Sequence, residues 1–129
     1  MTSKAFLLVA CWLISLSACG WSAEVPRLRV VNMGSFPIHN LVVIFPDERI
    51  EFGDIPAGAA TDYKEVPGGV YGYAAYQFDV DGEEVTLSVL DWVGEEPLSG
   101  LSFTCEVNFD PGNFELQGGL HPALIRRDE

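Results

Sequence analysis

The chain has 129 residues, with 7 Lys and Arg against 19 Asp and Glu, so its formal net charge is −12. This acidic balance argues against nucleic acid as a partner, because nucleic-acid-binding domains carry clustered basic residues. The length is enough for one domain and too short for two domains of ordinary size once the N-terminal segment described next is removed.

The N-terminus has the pattern of an export signal. Lys4 supplies a positive charge, and residues 5–14 are almost wholly apolar. This run is too short to span a hydrocarbon core of ~30 Å, which needs about twenty residues. A charged start, a short apolar run and small residues beyond it are typical of a secretory signal peptide.

The small residues after the apolar run resemble the lipobox of bacterial lipoproteins, with the residues Leu16, Ser17, Ala18 and Cys19. The resemblance implies cleavage before Cys19, a diacylglyceryl thioether on its sulfur, and acylation of the new amine. Two or three acyl chains form a stable membrane anchor, since each buried CH₂ contributes ~0.8 kcal/mol. The alternative is an ordinary signal peptide cut after Ala18 or Ala23, with Cys19 incidental.

The same resemblance implies an address and a division of the chain. An Asp after the lipidated Cys tends to hold lipoproteins at the inner membrane, and Gly20 stands there instead. In a host with two membranes we therefore expect the outer membrane, facing the periplasm. Residues 1–18 would be the signal peptide, 19–26 the lipidated Cys and a short tether, and 27–129 the folded domain. Loss of Lys4 makes the mature charge −13.

The domain is predicted to consist of strands. Residues 41–45 are continuously apolar and predict a central, buried strand. Residues 60–66 predict a weaker, edge strand. The clearest hairpin joins residues 70–80 to 83–93 through Asp81-Gly82. Further strands are predicted at residues 27–33, 49–54 with Ile50 and Phe52 inward, 101–109, and in short form at 113–117 and 123–126.

About seven short antiparallel strands resemble an immunoglobulin-like or fibronectin-like β-sandwich. The resemblance covers residues 27–109, rests on architecture, and carries no functional residues with it. The inter-sheet Cys pair of true immunoglobulin domains is absent from this sequence. Cys105 falls on the apolar side of an alternating strand, which predicts a buried and unreactive thiol.

The hairpin also predicts a candidate binding surface. A two-residue Asp-Gly loop fixes the register, so one face is apolar core and the other is polar near the turn. Beyond the polar part, the outer face carries an aromatic cluster, composed of Tyr71, Tyr73, Leu90 and Trp92. Such rings are prominent at protein-binding surfaces. The alternatives are that residues 120–125 cover the cluster, or that a slipped register or bulge turns Tyr71 and Tyr73 inward.

Candidate chemistry is sparse elsewhere. Four carboxylates crowd the hairpin turn and are weak calcium candidates: Asp79, Asp81, Glu83 and Glu84. Ser88 stands where a calcium loop has its closing Glu, so we predict no metal, and nothing in the sequence predicts a cofactor. His39 and His121 have no ligand spacing. Carboxylate pairs at residues 47–48 and 95–96 are the candidates for a hydrolase.

These features predict a lipid-anchored module of the bacterial cell envelope that is not an enzyme and binds another envelope protein. One alternative is an inhibitor of a cationic cell-wall enzyme such as a lysozyme, motivated by the charge of −13 and the envelope address. A further alternative is a carboxylate-based hydrolase. The sequence leaves the oligomeric state open.

Overall fold

The computed structural model describes residues 24–89, 92–113 and 122–128, and these residues form eight strands and no helix. The predicted signal peptide, Cys19 and most of the tether lie outside the described residues. The part of the chain that is described has no helix long and apolar enough to cross a membrane. The strands are β1 (Arg27–Asn32), β2 (Ile38–Phe45), β3 (Glu48–Ile55), β4 (Lys64–Glu65), β5 (Ala75–Val80), β6 (Glu83–Leu87), β7 (Ser102–Val107) and β8 (Ala123–Arg127).

Two four-stranded sheets make a sandwich-like, all-β fold. Sheet I has the order β4-β1-β7-β8, and sheet II has the order β3-β2-β5-β6. The predicted all-antiparallel arrangement is wrong at one place, because β1 and β7 run parallel from Arg27↔Ser102 to Asn32↔Val107. The chain between these two strands forms β4 and all of sheet II. No hairpin therefore forces them to run in opposite directions.

Sheet II confirms the predicted hairpin turn and register. The ladder runs from Val80↔Glu83 to Tyr76↔Leu87, and Asp81 and Gly82 both have positive φ, at 50° and 76°. Positive φ at both central residues is what a type I′ turn requires. The central position of β2 is confirmed by its pairing with β3 and β5. Its outward side chains, Val42 and Ile44, are half-buried rather than buried.

Three strands are much shorter than predicted. β5 begins at Ala75 rather than at residue 70, β6 ends at Leu87 rather than at residue 93, and β4 keeps only Lys64–Glu65 of residues 60–66. The Val70 carbonyl accepts a hydrogen bond from the Leu98 amide at 2.7 Å, so its backbone is bound to a loop instead of a strand. The chain then bends at Gly72, which ends the possibility of a continuous ladder.

The core lies between the two sheets. Phe78 of sheet II stacks on Phe109, with ring centroids 4.0 Å apart. The Tyr76 hydroxyl lies 3.4 Å from the Cys105 sulfur, so these side chains join the sheets across the middle of the core. Cys105 is fully buried, as its alternating strand predicts, and Ile50 and Phe52 also point inward. Burial raises the pKa of the Cys105 thiol to about 12, which keeps it protonated and unreactive at neutral pH.

Candidate functional site

One end of the sandwich joins the tether to two loops, and we call it the tether end. The Pro26 carbonyl accepts a hydrogen bond from the Val66 amide at 2.8 Å, immediately before β1. The Arg27 amide donates to the Leu101 carbonyl at 2.9 Å. Leu98 is bonded to Val70, as described above. The loops at residues 66–74 and 92–101 therefore lie where the chain enters the domain.

The aromatic cluster lies at the tether end. The Trp92 ring stacks on Tyr73, with centroids 5.1 Å apart and planes 10° apart. It also meets Tyr71 edge to face at 5.8 Å. Tyr71 is buried and packs on Phe45 at 5.8 Å, whereas Trp92 is half-buried and Tyr73 is exposed. Leu90 lies outside the described residues. The structure thus brings together three of the four predicted residues, and Tyr71 belongs to the core.

The proposed cover over this cluster takes a different position in its described part. Residues 123–125 are the start of β8, which pairs with β7 in sheet I. Ile125 is buried in the core, and Leu124 is exposed on the outer face of that sheet. Residues 120 and 121 of the predicted cover, including His121, lie outside the described residues. Tyr71 points inward although the β5–β6 register is not slipped. The chain bends at the next residue, Gly72.

A surface depression lies beside the root of the tether. Its volume is about 440 Å³, and its lining residues are Glu24, Val25, Arg27, Glu65, Leu101 and Ser102. The register of sheet I creates it, since Arg27 pairs with Glu65 on one side and with Ser102 on the other. Sequence reasoning did not find this depression, because its walls come from segments about forty and seventy residues apart whose pairing no local pattern indicates.

Charge is divided unequally between the sheets. The segments 38–55 and 75–87, which form sheet II and its turns, contain eight acidic residues and one Arg. The strands of sheet I contain five of the chain's seven Lys and Arg residues and two acidic residues. Most acidic residues of sheet II are exposed, so this sheet presents a negative surface to solvent.

The carboxylates of the hairpin are spread rather than gathered around one point. Asp79 accepts a hydrogen bond from the Asn40 amide group at 2.8 Å and lies opposite Glu84 in the ladder. Asp81 and Glu83 are exposed at the turn. Within residues 24–89, 92–113 and 122–128, no three His, Cys, Asp or Glu side chains are close enough to hold a metal ion together.

The remaining candidate acids lie on the surface. His39 Nδ1 is 3.5 Å from Asp54 Oδ1, and both side chains are exposed. A hydrogen bond from the Asn40 backbone, assisted by His39, lowers the pKa of Asp54.

Glu48 Oε1 accepts a hydrogen bond from the Gly68 amide at 2.6 Å, whereas Asp47 is exposed. Residues 95–96 are exposed glutamates in the second loop of the tether end. Nothing in these contacts specifically favours the hydrolase alternative.

Comparison with known proteins gives a likeness of fold alone. No protein-family model matches the chain, and no curated protein matches it. The chain is similar to a protein from Eubacterium rectale whose structure was determined by NMR. The TM-score is 0.50 and the identity is 19%, over 67% of this chain and 80% of that one. This likeness supports the sandwich-like architecture and carries no activity with it.

Proposed function

We propose that the chain is a lipid-anchored module of the bacterial envelope, without catalytic activity, that binds another envelope protein through the acidic surface of sheet II. We further propose that its sandwich is of the immunoglobulin-like kind, which the two four-stranded sheets support. The observation that carries the proposal is the unequal charge of the two sheets. A partner with a basic surface would be attracted to sheet II, and its association would be accelerated at low salt.

The position of this surface supports the same proposal. Asp54, Asp79 and the hairpin turn lie at the end of sheet II away from the tether, because β1 leaves the tether end at Arg27 and ends at Asn32 near Ile55. A domain anchored at its tether end would therefore present these carboxylates away from the membrane. A protein partner reaches such a surface without displacing lipid.

The proposal is tested by crosslinking the lipidated protein in its own envelope and identifying what is captured. The exposed adjacent pair Glu83 and Glu84 is reversed in the variant Glu83→Lys/Glu84→Lys. The matched control, Glu95→Lys/Glu96→Lys, makes the same charge change at the tether end. We expect the first variant to lose a stoichiometric partner and the control to keep it. Equal capture by both variants, or no partner after efficient crosslinking, would contradict the proposal.

A second candidate function is inhibition of a cationic cell-wall enzyme such as a lysozyme, which the same acidic surface favours. The interaction would be largely electrostatic, so inhibition should be strong at low ionic strength and weaken as NaCl is added. The measurement is lysozyme activity against protein concentration at two salt concentrations. Inhibition that does not change with salt, or no inhibition at low salt, would rule out this candidate.

A further inference from the structure

The tether end exposes several large apolar side chains. Val93 is 88% exposed, and Leu98, Leu101 and Tyr73 are also exposed there, beside the half-buried Trp92. An exposed apolar patch rimmed by polar residues indicates a contact with a partner or a membrane, and the stacked rings of Tyr73 and Trp92 are the part of this surface that the structure shows in contact. Trp and Tyr rings are enriched at the level of lipid headgroups, because the apolar part of the ring can contact lipid while its polar group stays hydrated.

The tether limits what this surface can meet. Residues 20–26 reach at most ~25 Å when fully extended, and they enter the domain at the tether end through Pro26. An eight-residue strand such as β2 is itself roughly 26 Å long. A lipid on Cys19 therefore limits the tether end to ~25 Å from the bilayer, whereas the acidic hairpin can lie farther away by roughly the length of a strand.

The depression at the root of the tether offers both charges that a zwitterionic phospholipid headgroup needs. Arg27 can hold a phosphate by paired hydrogen bonds from its guanidinium. Glu24 and Glu65 are exposed in the lining of the depression and can accept hydrogen bonds from an ammonium group. Arg27 and Glu65 form no salt bridge with any residue that the structure describes, although they are cross-strand partners. The Arg27 guanidinium lies over the Tyr63 ring, 5.3 Å from its centroid. Val25 and Leu101 supply apolar walls.

We propose that the tether end lies in the headgroup region of the bilayer, with Tyr73, Trp92 and Val93 against the lipid and a zwitterionic headgroup in the depression around Arg27. The proposal rests on the lipid anchor of the proposed function. Residues 66–74 and 92–98 contain no Lys or Arg, and Glu95 and Glu96 would be repelled by anionic lipids, so the proposed contact is with zwitterionic lipid. The aromatic cluster is then a membrane contact, and sheet II is left for the protein partner.

Two probes at opposite ends of the domain test this orientation. The full lipidated protein is made as Val93→Cys, at the tether end, or Met33→Cys, which is 58% exposed at the end of β1 away from the tether. Each is labelled with an environment-sensitive fluorophore, because Cys105 is buried and Cys19 carries the lipid. In phosphatidylethanolamine/phosphatidylcholine vesicles, we expect blue-shifted emission and quenching by headgroup spin labels for the probe at 93 only.

Lipid composition and charge variants sharpen the test. Replacing part of the lipid by phosphatidylglycerol should reduce quenching at position 93, because the tether end is acidic. Arg27→Gln should reduce it in zwitterionic vesicles, whereas Arg126→Gln, an exposed cation in β8, should not. Thermal unfolding of each variant separates a loss of contact from a loss of fold.

Vesicle binding reports on the lipid anchor, and the two probes report separately on the orientation of the domain. Protein that does not bind vesicles at all overturns both the anchor and the orientation. Protein that binds vesicles but leaves position 93 in water, or quenches both probes equally, overturns the orientation alone. In that case the aromatic cluster would be a protein-binding surface, as the sequence predicts.

Discussion

Two buried groups at the centre of the core make the stability of the domain sensitive to alkaline pH. Burial raises the pKa of Tyr76, with Cys105 beside it, and raises that of Cys105 to about 12. In the unfolded chain these groups ionise at about pH 10 and 8.5. Above about pH 8.5 the unfolded chain therefore binds fewer protons than the folded one, so stability is fully present below that pH and falls as pH rises.

We predict that the free energy of unfolding declines above about pH 8.5 through Cys105, and above about pH 10 through Tyr76 as well, by at most about 1.4 kcal/mol per pH unit for each group. The variant Cys105→Val removes one titrating group and should show a shallower decline. Urea unfolding at several pH values measures both slopes. Identical slopes in the two proteins would show that the Cys105 thiol does not contribute.

A single buried amide organises the loops at the end away from the tether. Asn32 is fully buried, and its side-chain NH₂ donates to the carbonyls of Phe36 at 2.8 Å and Ile55 at 3.2 Å. Its side-chain oxygen accepts the Gly34 amide at 3.0 Å. The alternation of β1 places residue 32 inward after two apolar residues, but no local pattern reveals which distant carbonyls it meets.

Removing this amide should be costly. We predict that Asn32→Ala lowers the free energy of unfolding by about 2 kcal/mol, because one buried and several part-buried backbone groups lose their partner. Thr86→Ala, at an exposed position of β6, is the control and should change stability by less than about 0.5 kcal/mol. Denaturant unfolding at neutral pH gives both values. Equal effects in the two variants would mean that water replaces the amide of Asn32 at no cost.

At the scale of elements, the sequence predicts best what is decided locally. The Asp81-Gly82 turn sets its own register, so the pairs along β5 and β6 are confirmed. Both strands are shorter than predicted. The Val70 carbonyl, predicted to lie in β5, instead accepts a hydrogen bond from Leu98, in a segment that no local pattern relates to it. The aromatic cluster shows both cases. Its members could be named from the register near the turn, but the burial of Tyr71 against Phe45 follows from the bend at Gly72.

Two glycines, Gly82 in the hairpin turn and Gly72 in the loop before β5, allow the turn itself to be tested. Gly82 has a φ of 76°, and a Cβ added there would meet nothing within 4 Å. Gly82→Ala should therefore cost roughly 1–2 kcal/mol through backbone conformation alone. Gly72 has no positive φ and equally open surroundings. Gly72→Ala should be neutral or stabilising by up to about 1 kcal/mol, since it restricts the unfolded chain. Thermal unfolding should give a lower Tm for Gly82→Ala and no decrease for Gly72→Ala; an unchanged Tm for Gly82→Ala would contradict a type I′ turn.

At the scale of the whole molecule, the acidic residues of sheet II that would attract a basic partner also destabilise the folded state. Like charges held together in sheet II repel one another, and Asp79 lies directly across the ladder from Glu84. Sheet I differs, because Arg126 and Glu106 form an ion pair at 2.5 Å. Asp128 belongs to the same outer face. Burial opposes its ionisation, but hydrogen bonds from Tyr63 and Thr104 outweigh burial and lower the pKa of Asp128.

This difference predicts how salt acts on stability. The screening length falls from about 30 Å at 0.01 M salt to about 8 Å at 0.15 M, so added NaCl should raise Tm by weakening repulsion within sheet II. The variant Glu83→Gln/Glu84→Gln removes part of that repulsion and should have a higher Tm at low salt and a smaller rise on adding NaCl. Glu106→Gln breaks the ion pair with Arg126 and should lower Tm slightly at low salt while leaving the rise intact. Thermal unfolding of the three proteins at both salt concentrations measures these changes in Tm. A Tm that does not change with salt, or an equal rise in all three, would mean that sheet II is not the source of the repulsion.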